Sequence, residues 1–102
     1  MEKLTNFHYI VHQKLESLQL DIEILQDDVD SDLINGILTI TLHNGQQYII
    51  NKHTPSQQIW LSSPFSGAHH FYYNQDISSW INTRNKCDLD KFVNSEFIAY
   101  VA

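Results

Sequence analysis

The two ends of the chain carry hydrophobic patterns with helical spacing. Near the N-terminus, apolar residues recur every three or four positions, at Leu4, Phe7, Val11, Leu15, Leu18, Ile22 and Leu25. This spacing places them on one face of an α-helix. Near the C-terminus the same spacing follows Asp88, a residue type that favours the start of a helix, at Leu89, Phe92, Val93, Phe97 and Tyr100. The pattern therefore predicts two amphipathic helices, one at each end.

Between the helices the pattern alternates, which is typical of strands with one buried face. Asn35-Gly36 and Asn44-Gly45 separate the first three alternating segments, and Asn-Gly is the dipeptide that type I′ hairpin turns favour. We expect strands over residues 28–33, 37–42, 46–51, 57–62, 68–73 and 77–82. Short connections require antiparallel pairing. The sequence therefore predicts an α+β fold, a two-layer sandwich with two terminal helices packed on one face of an antiparallel sheet of about six strands.

Length and composition fit one domain over residues 1–102, because a chain of 102 residues with 42% hydrophobic residues can bury one core and not two. No apolar run reaches the roughly 18 residues that span a bilayer, and the N-terminus lacks the apolar segment of a secretion signal. We therefore expect no membrane association and a cytoplasmic location. Cys87 is the only cysteine, which excludes an internal disulfide and fits a reducing compartment.

Charge is distributed unevenly along the chain. The net charge of -6 argues against a nucleic-acid partner, because phosphates require a basic face. No Lys or Arg lies between Lys14 and Lys52. Seven acids lie in that stretch: Glu16, Asp21, Glu23, Asp27, Asp28, Asp30 and Asp32. On a helical wheel Glu16, Glu23 and Asp27 lie opposite the apolar stripe, and the acids from 28 to 32 share one strand face. We therefore expect one continuous acidic surface.

Carboxylates are hard ligands, suited to iron, manganese, magnesium or calcium. Alternate strand residues lie about 6.5 to 7 Å apart, so few of them can converge on one ion, and binding should be weak, hydrated and multi-site. The alternative is a solvated face that keeps the protein soluble. An EF-hand is excluded, because Leu33 and Thr39 stand where its loop needs Gly and Glu.

Histidines and known motifs add little chemistry. His8 and His12 lie one helical turn apart, but no third metal ligand accompanies them, so we expect ordinary, partly exposed helix positions. His69 and His70 should point to opposite faces of a strand. No phosphate-binding loop, zinc helix motif or nucleophile elbow is present in the sequence. The residues by themselves therefore do not predict an enzyme.

The segment from Tyr48 to Gly67 resembles the signature of the frataxin family. It reads YIINKHTPSQQIWLSSPFSG, and the similarity extends over nearly the whole chain: an acidic first helix, a hairpin meander, a later strand that bears Trp, and a closing helix. The resemblance implies an iron-binding protein of iron-sulfur cluster assembly. Such a protein contacts the cysteine desulfurase and its scaffold protein, as iron donor, regulator or both. We expect a monomer.

The resemblance implies two sites. Weakly bound iron, as Fe²⁺ or Fe³⁺, is expected on all seven acids between Glu16 and Asp32. The protein partners are expected on the sheet residues Asn51, Gln58, Ile59, Trp60 and His70. Independently of the family, Trp60 alternates with apolar Ile59 and Leu61, which favours the open side of the sheet for the indole, whereas Trp80 is expected to be structural. Two alternatives stay open: a ferroxidase that oxidises bound Fe²⁺, and an acidic interaction module without a metal role.

Overall fold

Two helices and six strands make up the part of the chain that the computed structural model describes, residues 6–101. The elements are α1 (Phe7–Leu25), β1 (Asp30–Ile34), β2 (Ile37–Thr41), β3 (Gln47–His53), β4 (Gln58–Ser63), β5 (Gly67–Asn74), β6 (Ser79–Asn82) and α2 (Leu89–Tyr100). The predicted helix start at Leu4 lies outside the described residues. Each strand pairs antiparallel with its neighbour in the chain, in the order β1-β2-β3-β4-β5-β6. The predicted fold class is confirmed.

Both helices cover the same face of the sheet. The apolar stripes of α1 and α2 join the inward-facing strand residues in one core. Trp80 belongs to this core, where its ring meets that of Phe7 edge-on at a centroid distance of 6.4 Å, so its role is structural. The other face of the sheet is covered by neither helix. Within residues 6–101, neither helix combines the length and apolar character that crossing a membrane requires.

The two Asn-Gly pairs form different turns. Asn35 and Gly36 have φ angles of 52° and 77° and join the paired residues Ile34 and Ile37, which is the predicted type I′ turn. The second pair was expected to form the same turn, and that prediction is wrong. The connection there runs over residues 42–46, Gly45 alone has a positive φ, and its N–H donates to the carbonyl of Leu42. The N–H of Leu42 donates to the carbonyl of Gln46 at 2.8 Å, which leaves a three-residue loop with Gly in the left-handed position.

The two edge strands each begin two residues later than predicted. Asp28 lies in the turn after α1 rather than in β1, because the chain uses residues 26–29 to reverse direction and bury Val29 before the edge strand begins. Ile77 lies exposed in the turn before β6, which begins at Ser79. Both strands are edges of the sheet, where one neighbour is missing and pairing ends sooner.

Helix α2 begins where the sequence predicted. The carboxylate of Asp88 accepts a hydrogen bond from the backbone N–H of Lys91 at 3.1 Å, which is the N-cap geometry. The helix directs its apolar stripe at the sheet, and Glu96 lies in the same buried face. A buried glutamate requires hydrogen-bond partners, and the sheet and its β4–β5 turn supply them.

Candidate functional site

The acids of α1 point in two directions. Glu16 and Glu23 are exposed, and His12 Nε2 lies 3.5 Å from Glu16 Oε1, one helical turn away. Asp21 lies elsewhere, because it lines the groove between α1 and α2 together with Asp90. The structure therefore separates Asp21 from the other two helical acids.

Asp27 and Asp28 lie in the turn between α1 and β1, and both are exposed. The sequence placed Asp27 on the helical row and Asp28 on the strand, but α1 ends at Leu25. His43 Nδ1 lies 3.8 Å from Asp28 Oδ2. These two acids connect the helical acids to those of β1.

Asp30 and Asp32 point to the open face of the sheet. Ser31, between them, accepts a hydrogen bond from Gln19 Nε2 of α1 at 2.9 Å. The side chain of Ser31 therefore points to the face of the sheet that α1 covers. Successive strand residues point to opposite faces, and Asp30 and Asp32 therefore face away from α1. The single acidic surface expected from the sequence is corrected: Asp30 and Asp32 lie on the open face of the edge strand β1, whereas Glu16 lies on α1 in a groove that Tyr73 and Ser78 also line.

We refer to six of these acids as the acidic edge: Glu16, Glu23, Asp27, Asp28, Asp30 and Asp32. Within residues 6–101, none of them and no atom of Asp21 forms an ion pair with a Lys or Arg, whereas Lys14 pairs with Asp90 at 2.7 Å. No three His, Cys, Asp or Glu side chains in the described chain converge into a ready-made metal site. The acidic edge therefore fits a hydrated cation that one or two carboxylates hold while water fills the other positions.

Trp60 lies on the open face of the sheet, half-buried, as its alternation with buried neighbours predicted. It pairs with Asn51 of β3 on one side and with His70 of β5 on the other, so the three residues form one row across the sheet. Trp60 Nε1 donates to Gln58 Oε1 at 2.9 Å. Four of the five predicted partner residues thus lie together on one surface.

Ile59 does not belong to that surface. Its side chain has 0% exposure and lies in the core under the helices. It alternates with Gln58 and Trp60, so it must point to the face that they avoid. The expectation that Ile59 contacts a partner is therefore corrected.

Three exposed isoleucines extend the open face, and the hydrophobic pattern of the sequence did not single them out. Ile34, Ile37 and Ile49 are 63%, 44% and 40% exposed. Ile37 pairs with both Ile34 and Asn51, which places it in the row of Trp60. Exposed aliphatic side chains beside a Trp are typical of an interaction surface. They lie beside other apolar residues, so the sequence does not show which of these side chains face water. The two-residue spacing from Ile49 to Asn51 does indicate that these two side chains share a face.

Two imidazole rings cover Trp60. The ring of His53 stacks on the indole at a centroid distance of 3.5 Å and an interplanar angle of 9°, and the ring of His70 stacks at 4.3 Å and 14°. Strands β3 and β5 flank β4 on opposite sides, so the two imidazoles lie on opposite faces of the indole. His53 Nδ1 also shares a hydrogen bond with the Ser56 hydroxyl at 2.7 Å. The indole is therefore presented to solvent by its edge.

A second polar cluster lies between α2 and the β4–β5 turn. Glu96 accepts hydrogen bonds from the hydroxyls of Tyr48 and Ser63, each at 2.7 Å, and from that of Ser66. Ser66 Oγ also lies 2.9 Å from His69 Nε2. Burial, followed by the hydrogen bond and charge of Glu96, raises the pKa of Tyr48 far above its ordinary value. The cluster holds the turn against the helix.

This cluster contains Ser, His and Glu, but its hydrogen bonds have the wrong polarity for a catalytic triad. Arg84 Nη2 lies 3.1 Å from His69 Nδ1, and a guanidinium can only donate. Nδ1 is therefore the acceptor, and Nε2 carries the proton that it donates to Ser66. Burial, and then the charge of Arg84, lower the pKa of His69, which favours this neutral form. The imidazole cannot take the Ser66 proton, so the serine is not activated as a nucleophile.

Comparison with known proteins agrees with this architecture. The profile of the family described as Frataxin-like domain matches residues 2–102. The mitochondrial frataxin homolog of Schizosaccharomyces pombe is 35% identical over 96 residues, which cover 89% of this chain and 61% of that protein. The iron-sulfur cluster assembly protein CyaY of Pseudoalteromonas atlantica is 36% identical over 87 residues, which cover 81% of this chain and 78% of that protein.

A solved structure of trimeric yeast frataxin in a ferrous complex superposes with a TM-score of 0.72 at 27% identity, covering 97% of this chain and 88% of that one. The chain spans between 49% and 61% of the length of three mitochondrial frataxins that it matches, those of Schizosaccharomyces pombe, Arabidopsis thaliana and Dictyostelium discoideum. Its sequence, its sheet order and the helices on one face of that sheet all agree with these relatives. The chain therefore belongs to the frataxin-like family.

Proposed function

We propose that this protein binds iron at the acidic edge and acts in iron-sulfur cluster assembly, as iron donor to, or regulator of, a complex of cysteine desulfurase and scaffold protein. The observation that carries the proposal is the set of exposed carboxylates without Lys or Arg partners within residues 6–101. The names of the relatives support it, since one is an iron-sulfur cluster assembly protein and another was solved in a ferrous complex.

Iron would be cargo at this edge rather than a resident cofactor. The carboxylate oxygens are hard ligands that suit both Fe²⁺ and Fe³⁺. They are exposed and do not converge in groups of three within the described residues, so each ion keeps most of its water and exchanges rapidly. Asp21 lies apart from the acidic edge, and we propose that it contributes least.

The protein partner would dock on the open face of the sheet. Lys52 is the only Lys or Arg in the six strands, and it packs beside Gly36, opposite buried Ile59 rather than on the open face. The open face therefore combines an apolar row with the carboxylates of Asp30 and Asp32. This combination fits a basic protein surface with an apolar centre. We propose that the protein acts in the cytoplasm and is a monomer.

Anaerobic titration with Fe²⁺, followed by amide NMR, tests the metal site. Resonances of residues 16–32 are expected to shift or broaden, and the variant D27N/D28N/D30N/D32N should lose most of that response. D76N is the matched control, because Asp76 is exposed in the turn after β5 and should leave the response intact. If the acidic edge does not respond to Fe²⁺, the metal assignment is wrong.

Activity measurements separate the roles. Cysteine desulfurase activity should change when the protein is added, and the dependence on iron distinguishes an iron donor from a regulator. If charge-neutralising substitutions abolish desulfurase binding equally with and without iron, the acids serve only the protein interface. Saturable Fe²⁺ oxidation by oxygen would instead support the ferroxidase.

A further inference from the structure

We propose that His53 and His70 make partner binding at the open face depend on pH, because protonation places positive charge on both sides of Trp60. This inference rests on the proposed function, since it concerns the basic protein partner of the same face. It adds a regulatory property that neither the acidic edge nor the position of Trp60 explains.

The ring geometry carries the proposal. The two imidazoles lie parallel to the indole at centroid distances of 3.5 and 4.3 Å, so neither face of Trp60 is free for a partner ring. A partner that contacts the indole edge must also contact the edges of His53 and His70. Any charge on these imidazoles therefore lies within the contact area.

No carboxylate of the sheet lies close to the stack. Asp30 and Asp32 are the only acids in the six strands, and their strand lies two strands from β3, the strand of His53, about 10 Å away at the usual strand spacing. That distance exceeds the Debye length of about 8 Å at physiological salt. The β5–β6 turn, at the same end of the sheet as His53, carries one acid, Asp76.

The other titratable groups around the stack cannot neutralise a positive imidazole. On β5, Tyr72 shares the face of His70, and the ammonium of Lys86 lies 5.6 Å from the centre of its ring. On the opposite face, His69 meets the guanidinium of Arg84. Strand β4 and the β3–β4 turn carry no titratable side chain. Strands β3, β4 and β5 thus supply cations and neutral groups, whereas the acid at that end of the sheet, Asp76, is exposed in the turn after β5.

Protonation would change the charge of the surface and keep its shape. Histidine side chains gain a proton between about pH 8 and pH 5. A charged imidazole above an indole is attracted to the ring, so the stack stays closed when it is charged. A basic partner, which the acidic edge favours, then meets like charge at the centre of the interface, and like charges across an interface weaken binding. The partner should dock near neutral pH and dissociate in acid.

NMR of the isolated protein tests the first step. The indole N–H resonance of Trp60 is expected to move along a titration curve between pH 8 and pH 5, and H53Q/H70Q should remove that movement. H8Q is the matched control, because His8 is an exposed histidine of α1, and it should titrate like the parent. A Trp60 resonance that stays constant, or that moves equally in H53Q/H70Q, overturns the proposal.

Binding measurements test the second step, with the purified complex of cysteine desulfurase and scaffold protein as the probe. Between pH 7.5 and pH 5.5 the affinity of the parent and of H8Q is expected to fall about tenfold, which corresponds to roughly 1.4 kcal/mol. For H53Q/H70Q, the affinity at pH 7.5 and the affinity at pH 5.5 should differ by less than about twofold. Equal ratios for the parent and H53Q/H70Q contradict the pH dependence only. Absence of binding at every pH contradicts the proposed function itself.

Discussion

The acidic edge and Glu96 use the same functional group in opposite ways. Glu96 is 8% exposed and accepts hydrogen bonds from three hydroxyls. The carboxylates of the acidic edge are exposed and have no Lys or Arg partner among the described residues. A buried carboxylate needs such donors to offset its lost hydration, so Glu96 serves stability. Exposed carboxylates keep their hydration and are free to bind a cation. The surroundings of the residue, rather than its type, assign the role.

Removing Glu96 should have the largest effect on stability. The substitution E96A leaves the hydroxyls of Tyr48, Ser63 and Ser66 without their acceptor, and each unsatisfied buried group costs about 1 to 3 kcal/mol. Water reaches part of the site, so we expect a total loss of roughly 3 kcal/mol in the free energy of unfolding. Urea denaturation followed by circular dichroism measures it.

The same substitution type at the acidic edge provides the contrast. D27A removes an exposed carboxylate and should change the free energy of unfolding by less than about 0.5 kcal/mol, as exposed sites usually do. The comparison breaks down if E96A and D27A have similar effects.

Acid should weaken the Glu96 cluster through His69. Because the pKa of His69 is lowered in the folded protein, the unfolded chain binds a proton below about pH 6.5 that the folded chain does not. The contribution of neutral His69 to the free energy of unfolding is present above pH 6.5 and is lost as the pH falls below that value. H69Q should therefore reduce the loss of stability between pH 6.5 and pH 5.5 by up to about 1 kcal/mol.

Urea denaturation at pH 7.5, 6.5 and 5.5 measures this difference. H12Q serves as control, because His12 is an exposed histidine whose ring contacts only the exposed side of α1 near Glu16, and it should keep the parental pH dependence. If the free energy of unfolding falls equally with pH in H69Q and in the parent, the position of His69 between Arg84 and Ser66 does not control its protonation.

Neutralising the acidic edge should have the smallest effect on stability, with the opposite sign. D27N/D28N removes like-charge repulsion and is expected to raise the free energy of unfolding at low salt by a few tenths of a kcal/mol. Since salt screens exposed charges, the gain should shrink at high ionic strength. Thermal denaturation at two salt concentrations measures it, and D76N provides the control. A loss of stability in D27N/D28N would mean that these acids are structural.

Elements that depend on local pattern could be predicted from the sequence. The stripe of α1 and the alternation around Trp60 reflect the period of one element, and the cap at Asp88 reflects its residue type. The structure confirms the alternation, the cap and the stripe from Phe7 onward. The type I′ turn at Asn35-Gly36 was likewise local. The prediction for Asn44-Gly45 failed because the loop there has three residues, 43–45, and Gly45 alone takes the left-handed conformation.

Features that depend on contacts between elements were not predictable. Stacking of His53 and His70 on Trp60 joins three strands, and the burial of Glu96 requires hydroxyls from β3, β4 and the following turn. The division of the acidic edge depends on where α1 ends and on the hydrogen bond from Gln19 to Ser31. None of these pairs is close in sequence.

The sequence by itself determined the fold class, the family and the uncompensated charge of the stretch from Glu16 to Asp32, because hydrophobic period, signature segment and charge are properties of the chain in order. The tertiary structure alone decided which carboxylates are free, which sheet face Asp30 and Asp32 share with Trp60, and which rings enclose the indole. Those properties depend on distance and on access of water, and both are fixed only when separate elements pack together.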